Sequence, residues 1–287
     1  MIESERKQII DLVRREVIPA IGCTEPIAVA LCVAKAVETL GTKPENIKVF
    51  LSANILKNAM GVGIPGTGMI GLPIAVALGA IIGKSEYQLE VLKDSTPEAV
   101  KLGKQYINEK RVCISLKEGI AEKLYIEVLC EAEGKVATAI IAGGHTTFIY
   151  IARGEEILFS KQPVGTEEQD EQNLDLNLKK VYDFALTAPL EEIRFILETA
   201  RLNKAAAESS FQGDYGHALG KVLRGRYEHQ IMGDSVFSHI LSYTSAACDA
   251  RMAGAMIPVM SNSGSGNQGI SATLPVLANR KRNLSAP

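Results

Sequence analysis

The chain has 287 residues, of which 46% are hydrophobic and 22% charged, with a formal net charge of -2. That length buries a sizeable core as one large domain or two ordinary ones, which excludes a small stapled scaffold. Lysines and arginines are scattered, with no basic stripe to track a nucleic acid backbone. The five cysteines (Cys23, Cys32, Cys113, Cys130, Cys248) form neither a secreted disulfide framework nor a paired metal motif, so a cytoplasmic protein is expected.

The charged N-terminus leads into a helix with apolar spacing at Ile9, Ile10, Val13 and Val17, unlike a signal peptide. After it comes Ile21-Gly22-Cys23-Thr24-Glu25-Pro26, a polar interruption before the apolar helical run Ile27 to Val37. Thr24 suits the N-cap, Pro26 the first turn and Gly41 the C-terminal cap. Cys23 then lies at the positive end of a helix dipole, which predicts a depressed thiol pKa and a reactive thiolate. The alternative is an inert buried thiol.

Ile47, Val49 and Leu51 share one face of a strand, followed by Asn54, Lys57 and Asn58 and the loop Gly61-Val62-Gly63-Ile64-Pro65-Gly66-Thr67-Gly68. The loop reads either as a carboxylate or phosphate cradle or as a tight turn that needs glycine; no Walker lysine ends it, which weakens a nucleotide-binding reading. The stretch from Asn58 to Gly83 has no charged residue. Its glycines, with Pro65 and Pro73, predict a loop and a buried helix in place of a membrane span.

Ser95-Thr96-Pro97-Glu98 opens a helix to about Glu109. Strands follow, with Val112, Ile114 and Leu116 on one face of the first and Cys130 in the core from the second. Turns at Glu133-Gly134 and Arg153-Gly154 flank a long β segment. Inside it, Ala142-Gly143-Gly144-His145-Thr146-Thr147 predicts a bulge that re-aims His145, the one of four histidines in such a setting. His217, His229 and His239 show no metal-binding spacing. An acidic linker is expected over 161–176. Helices then run from about 187 to 209 and 232 to 252, with Cys248 on a packing face. Ser261-Asn262-Ser263-Gly264-Ser265-Gly266-Asn267-Gln268-Gly269 reads as a donor-rich loop or a mobile linker ahead of a buried helix beginning at Ile270.

The predicted fold class is α+β: a helical body with an inserted mixed, mainly antiparallel β layer. Residues 1–44 are grouped with the C-terminal helical domain at 177–287, and 45–160 form the insert.

Taken together, Gly22 to Pro26, Asn54 to Gly68, Gly143 to Thr146 and Ser261 to Gly269 resemble the L-cysteine desulfidase family, related to the alpha-chain region of iron-sulfur L-serine dehydratases. The resemblance implies α,β-elimination from L-cysteine or L-serine, with Cys23 and His145 handling protons. By the same resemblance Thr24, Glu25, Asn54, Lys57, Asn58, Gly66, Thr67, Gly144, Thr146, Ser261, Asn262, Ser263, Gly264 and Asn267 bind substrate. It also implies a four-iron four-sulfur cluster whose ligands lie in a C-terminal part beyond residue 287, so a truncated chain without the cluster is expected, with no metal ligand among these residues. The partner is a small L-amino acid, with no nucleic acid and no membrane, and a homodimer is left open. The competing reading is a cofactor-free remnant that binds an amino acid or a partner without turnover.

Overall fold

Helix α2 (Thr24–Leu40) is apolar on nearly every side, and residues Ile27 through Ala34 are all buried. A helix with no polar face needs cover all round. The computed structural model, which describes residues 2–161, 176–225 and 230–283, shows what supplies it. On one side lies a six-stranded sheet of order β5-β2-β6-β7-β8-β9, made from β2 (Asn46–Leu51), β5 (Val112–Leu116), β6 (Tyr125–Ala132), β7 (Lys135–Ala142), β8 (Phe148–Arg153) and β9 (Glu156–Ser160). On the other lies α4 (Leu72–Ile81). Residues 162–175 of the linker expected over 161–176, His229 and residues 284–287 fall outside the described residues.

The sheet is mixed as expected: β2 and β5 run parallel and every other neighbouring pair is antiparallel. Alternation puts Ile47, Val49 and Leu51 of β2 and Ile126, Val128 and Cys130 of β6 on the buried face. On β7 that face carries Ala137 and Ala139, opposite Cys130 and Val128. Small side chains there let α2 approach, and the Cys32 thiol donates to the carbonyl oxygen of Ala139 at 3.3 Å. Arg153 Nε donates to the Thr39 carbonyl at 2.7 Å, satisfying an otherwise open carbonyl at the end of α2. Gly41 closes the helix at φ 79°, as its position predicts.

Helix α1 (Glu3–Glu16) ion-pairs with the C-terminal half, Arg6 with Glu192 at 2.8 Å and Glu5 with Lys180 at 2.9 Å, whereas α2 packs on the sheet and α4. The uniform apolar surface of α2 suits a sheet face better than a helix groove. Helix α3 (Ala53–Ala59) follows β2; the hairpin β3 (Gly63–Ile64) and β4 (Met69–Ile70) forms the glycine loop; and α5 (Pro97–Asn108) is capped by Thr96, which accepts from Ala99 N–H as its sequence predicts.

The second half is helical: α6 (Leu178–Thr187), α7 (Leu190–Ile193), α8 (Leu197–Gln212), α9 (Leu219–Val222), α10 (Val236–Met252) and α11 (Gly266–Asn283). A 3₁₀ turn at Arg194–Ile196 breaks the single helix expected from 187 to 209. The smaller core comprises Ala206 and Ala207 of α8, Tyr243, Ala246 and Ala247 of α10, and Ile270 and Leu274 of α11. Between α10 and α11, β10 (Pro258–Met260) pairs antiparallel with β1 (Pro19–Ile21). Asn203, fully buried, accepts from Met260 N–H at 2.8 Å and donates to the Gly269 carbonyl at 3.2 Å, locking β10 to α11.

Gly79 of α4 lies against the backbone of Ala30, where a Cβ would collide with the Ala30 carbonyl oxygen. Gly79→Val should therefore force α4 from α2 and cost about 1–3 kcal/mol, read as a lower urea midpoint at unchanged m-value; an unchanged midpoint would show that the two helices separate freely.

Candidate functional site

The antiparallel β1–β10 pair aligns Pro19 with Met260 and Ile21 with Pro258, so the chain enters α2 and α11 side by side. Ser261 strengthens the link: its backbone N–H and its Oγ both donate to the Ile18 carbonyl, at 2.9 and 2.7 Å. Ser263 N–H donates to the Glu16 carbonyl at 3.0 Å. A tight turn then reverses the chain, with Asn262 N–H on the Ser265 carbonyl and Ser265 N–H on that of Asn262. Ser263 and Gly264, at φ 47° and 74°, occupy its two left-handed positions. The donor-rich stretch at 261–269 is thus a structured strand, turn and helix start.

His145 meets this turn. The sequence predicts a mid-strand bulge at Gly143-Gly144, but these glycines form the connecting loop between β7 and β8. Gly143 at φ 77° ends the strand, and Thr147 N–H returns to the Gly144 carbonyl at 3.2 Å. The irregularity in pairing lies just before, between Ile140 and Ile141. His145 packs on the bare Cα of Gly264, where a Cβ would collide with its Nδ1. Thr146 sits half-buried in the same loop.

At the start of α2 the N-cap is Cys23, one residue earlier than expected, with Thr24 as the first helical residue and Pro26 still in the first turn. Cys23 is buried and its Sγ donates to Glu25 Oε2 at 3.5 Å, while Asn58 Nδ2 donates to Glu25 Oε1 at 3.3 Å. Burial pushes the Cys23 thiol up; the Arg251 charge opposes this, and the charge and hydrogen bond of Glu25 add to it. The expected depressed pKa is therefore corrected. The Thr24 backbone N–H does lower it, but less than desolvation and the carboxylate raise it. Cys23 rests as a thiol. Burial also holds the His145 imidazole below the usual histidine range, with Glu25 opposing, so it is neutral at neutral pH.

Arg251, at the end of α10, is a site residue that sequence reading missed. Its side chain is buried at 4% exposure among three elements. Nη1 donates to Asn267 Oδ1 at 2.9 Å and approaches Met252 Sδ at 3.6 Å, and Nη2 donates to Thr24 Oγ1 at 3.3 Å. Among the described residues Nε has no hydrogen-bond partner. Its signal was present: a lone cation in the small-residue run Ala246-Ala247-Cys248-Asp249-Ala250-Arg251, shortly before a Ser/Gly/Asn loop.

Other expected site residues are placed elsewhere. Asn54 and Lys57 are exposed on α3. Gly66 N–H donates to the Gly254 carbonyl at 3.2 Å, and Thr67 Oγ1 donates to the Ile64 carbonyl at 2.8 Å and accepts from Met69 N–H at 2.9 Å. The glycine loop thus has polar groups engaged within the protein and braces the turn after α10; a Cβ on Gly63 would collide with the Ala253 backbone. Two linked groups result: Arg251 holds Thr24 and Asn267 and its charge reaches Cys23, while Glu25, bonded to Cys23 and Asn58, acts on His145 at Gly264.

A sequence profile of the serine dehydratase alpha chain matches residues 86–285. The chain belongs to this family. It is 81% identical over 283 residues to a UPF0597 protein of Bacteroides fragilis, covering 99% of this chain and 66% of that protein. UPF0597 proteins of Phocaeicola vulgatus and Oleidesulfovibrio alaskensis are 72% and 44% identical, over 95% and 98% of this chain and 64% and 66% of theirs. The serine dehydratase-like chain therefore spans just under two thirds of the length of these relatives. No solved structure matches it.

Serine dehydratase alpha chains are generally associated with iron-sulfur clusters, which cysteine thiolates hold. Cys32 and Cys130 are buried in the α2–sheet core with thiols pushed up by desolvation, Cys130 to about 12. Cys113 is exposed on β5, Cys248 lies within α10, and Cys23 faces Glu25. Among the described residues no group of three or more His, Cys, Asp or Glu side chains converges to hold a metal ion. These residues do not fit a cluster, and no step is derived through one. Among the described residues no helix is long and apolar enough to cross a membrane.

The raised Cys23 thiol has a kinetic consequence. Iodoacetamide at neutral pH should label exposed Cys113 well before Cys23, and Cys23 labelling should accelerate only as pH rises beyond the ordinary thiol range. Glu25→Gln removes a like charge and an acceptor, so Cys23 should react faster at every pH, followed by peptide mass spectrometry. Complete Cys23 labelling at neutral pH in the native protein would contradict this.

Proposed function

We propose that this chain carries the proton-transfer centre of an α,β-eliminating lyase acting on a small L-amino acid, L-cysteine or L-serine. The single observation that supports it is Glu25 linking two groups: it accepts from the protonated Cys23 thiol, and its charge acts on the neutral imidazole at the Gly264 turn. One group holds a proton and one can accept one, which is the pairing an elimination needs. His145 reversibly takes the α-proton, leaving its electron pair on Cα; that pair then forms the Cα=Cβ bond as the Cβ–S or Cβ–O bond breaks. The Cys23 thiol protonates the departing sulfide or hydroxide and is reprotonated through Glu25. The resulting aminoacrylate tautomerises to an imine, and water releases pyruvate and ammonia. Asn58, donating to Glu25, holds the carboxylate in place.

These roles differ from a Cys23 thiolate base, because the thiol is raised and the imidazole is neutral. A second reading is binding without turnover, supported by the scattered cysteines; iron and sulfide content after anaerobic reconstitution, measured beside pyruvate release, separates the two.

In an active, anaerobically prepared protein, Cys23→Ala should slow product release by about 10²–10⁴-fold while α-deuterium still washes out of labelled substrate. His145→Gln should abolish the washout. Loss of washout in the cysteine variant with retention in the histidine variant would reverse the assignment, and near-native rates in both would sink it.

A further inference from the structure

An arginine is charged at any physiological pH, and a buried one is ordinarily paired with an anion. Among the described residues Arg251 has no such partner: its acceptors are an amide oxygen, a hydroxyl and a thioether, and no carboxylate of those residues lies within ion-pair distance. The nearby Asp249 accepts from Gly220 N–H at 2.9 Å, and Glu25 is engaged by Cys23 and Asn58. Thr24 and Asn267, the residues that hold the guanidinium, stand in the first turns of α2 and α11, whose dipoles add positive potential. The neutral acceptors and the two helix starts make the position short of negative charge, since Glu25 and Asp249 are bonded elsewhere.

The donor arrangement is equally specific. Nη1 bonds Asn267 and approaches Met252, and Nη2 makes one bond to Thr24, which leaves the Nε–H and one Nη2 N–H; Nε and Nη2 share one edge of the guanidinium. That pair matches the two oxygens of a carboxylate. Gly266 presents its bare Cα to Nε, where a Cβ would collide, so only glycine lets the guanidinium seat against the start of α11 with its orphaned donor.

We infer that Arg251, held between the first turns of α2 and α11, is the anion receptor of this site and takes the α-carboxylate of a small amino acid through Nε and Nη2. This rests on the lyase reading for the amino acid and stands on the buried, unpaired cation for the carboxylate. Bound this way, a substrate's carboxylate would lie on the cation whose charge already reaches the Cys23 thiol. No expected binding residue supplied a cation at this position: Lys57 is exposed on α3.

The test compares ligands that each lack one group. L-Serine and L-lactate, both carboxylates, should raise the melting midpoint of the native protein at matched ionic strength, and ethanolamine, which has the ammonium and hydroxyl without the carboxylate, should not. Asn267→Asp places an internal carboxylate on Nη1. It should melt higher than the native protein without ligand and bind L-serine at least about tenfold more weakly, the worth of a charge-assisted hydrogen bond. Arg251→Lys, which keeps the charge and loses the fork, should weaken both carboxylates by a similar factor. Native-like serine binding in Asn267→Asp, an ethanolamine shift equal to that of lactate, or no response to any carboxylate would overturn the assignment. Carboxylate binding without pyruvate release would defeat the lyase reading and leave the receptor standing.

Discussion

The pairing of β1 with β10 is the constraint on which the site depends. It is only three residues on each side, yet it joins the strand before α2 to the strand before α11 across more than two hundred positions of sequence. Two helices that pack in different cores, one against the sheet and one against α8 and α10, thereby begin next to each other. Ser261, bonded twice to Ile18, and Asn203, bonded to both Met260 and Gly269, keep that junction from sliding. The junction collects positive potential from two helix starts in one place, and Arg251 adds a full charge to it.

The electrostatics there are a contest between solvation and local fields. A helix terminus favours an adjacent anion by about 0.3–1 kcal/mol at an exposed position. One pKa unit corresponds to about 1.4 kcal/mol, so modest desolvation of a thiol outweighs the dipole. Cys23 is buried beside a carboxylate, and both effects act against the thiolate. Arg251 opposes them without prevailing. The same burial that keeps the thiol protonated keeps His145 neutral, so one cause prepares a proton donor and a proton acceptor.

The glycines divide by role. Gly264 and Gly266 leave room for His145 and Arg251 at the site, whereas Gly63 and Gly79 let backbone approach backbone. Both kinds sit in glycine-rich or small-residue sequence, and only the partner they face tells them apart. The loop at Gly61 to Gly68 reads as an anion cradle for that reason, although its Gly66 and Thr67 bonds run to the Gly254 turn and within the loop.

Local pattern by itself determined a good deal: the buried α2, the alternating faces of β2 and β6, the Thr96-capped helix, the α+β class, and the polar stations at Cys23, His145 and 261–269. Those features depend on neighbours a few residues apart, where periodicity, capping and turn chemistry act directly. The side of α2 that the sheet covers, the turn of Gly143-Gly144 into a hairpin loop, the raised Cys23 thiol and the place of Arg251 were decided only by tertiary structure. Burial, charge proximity and the absence of a partner are properties of what lies across space, and residue spacing along the chain carries no record of them.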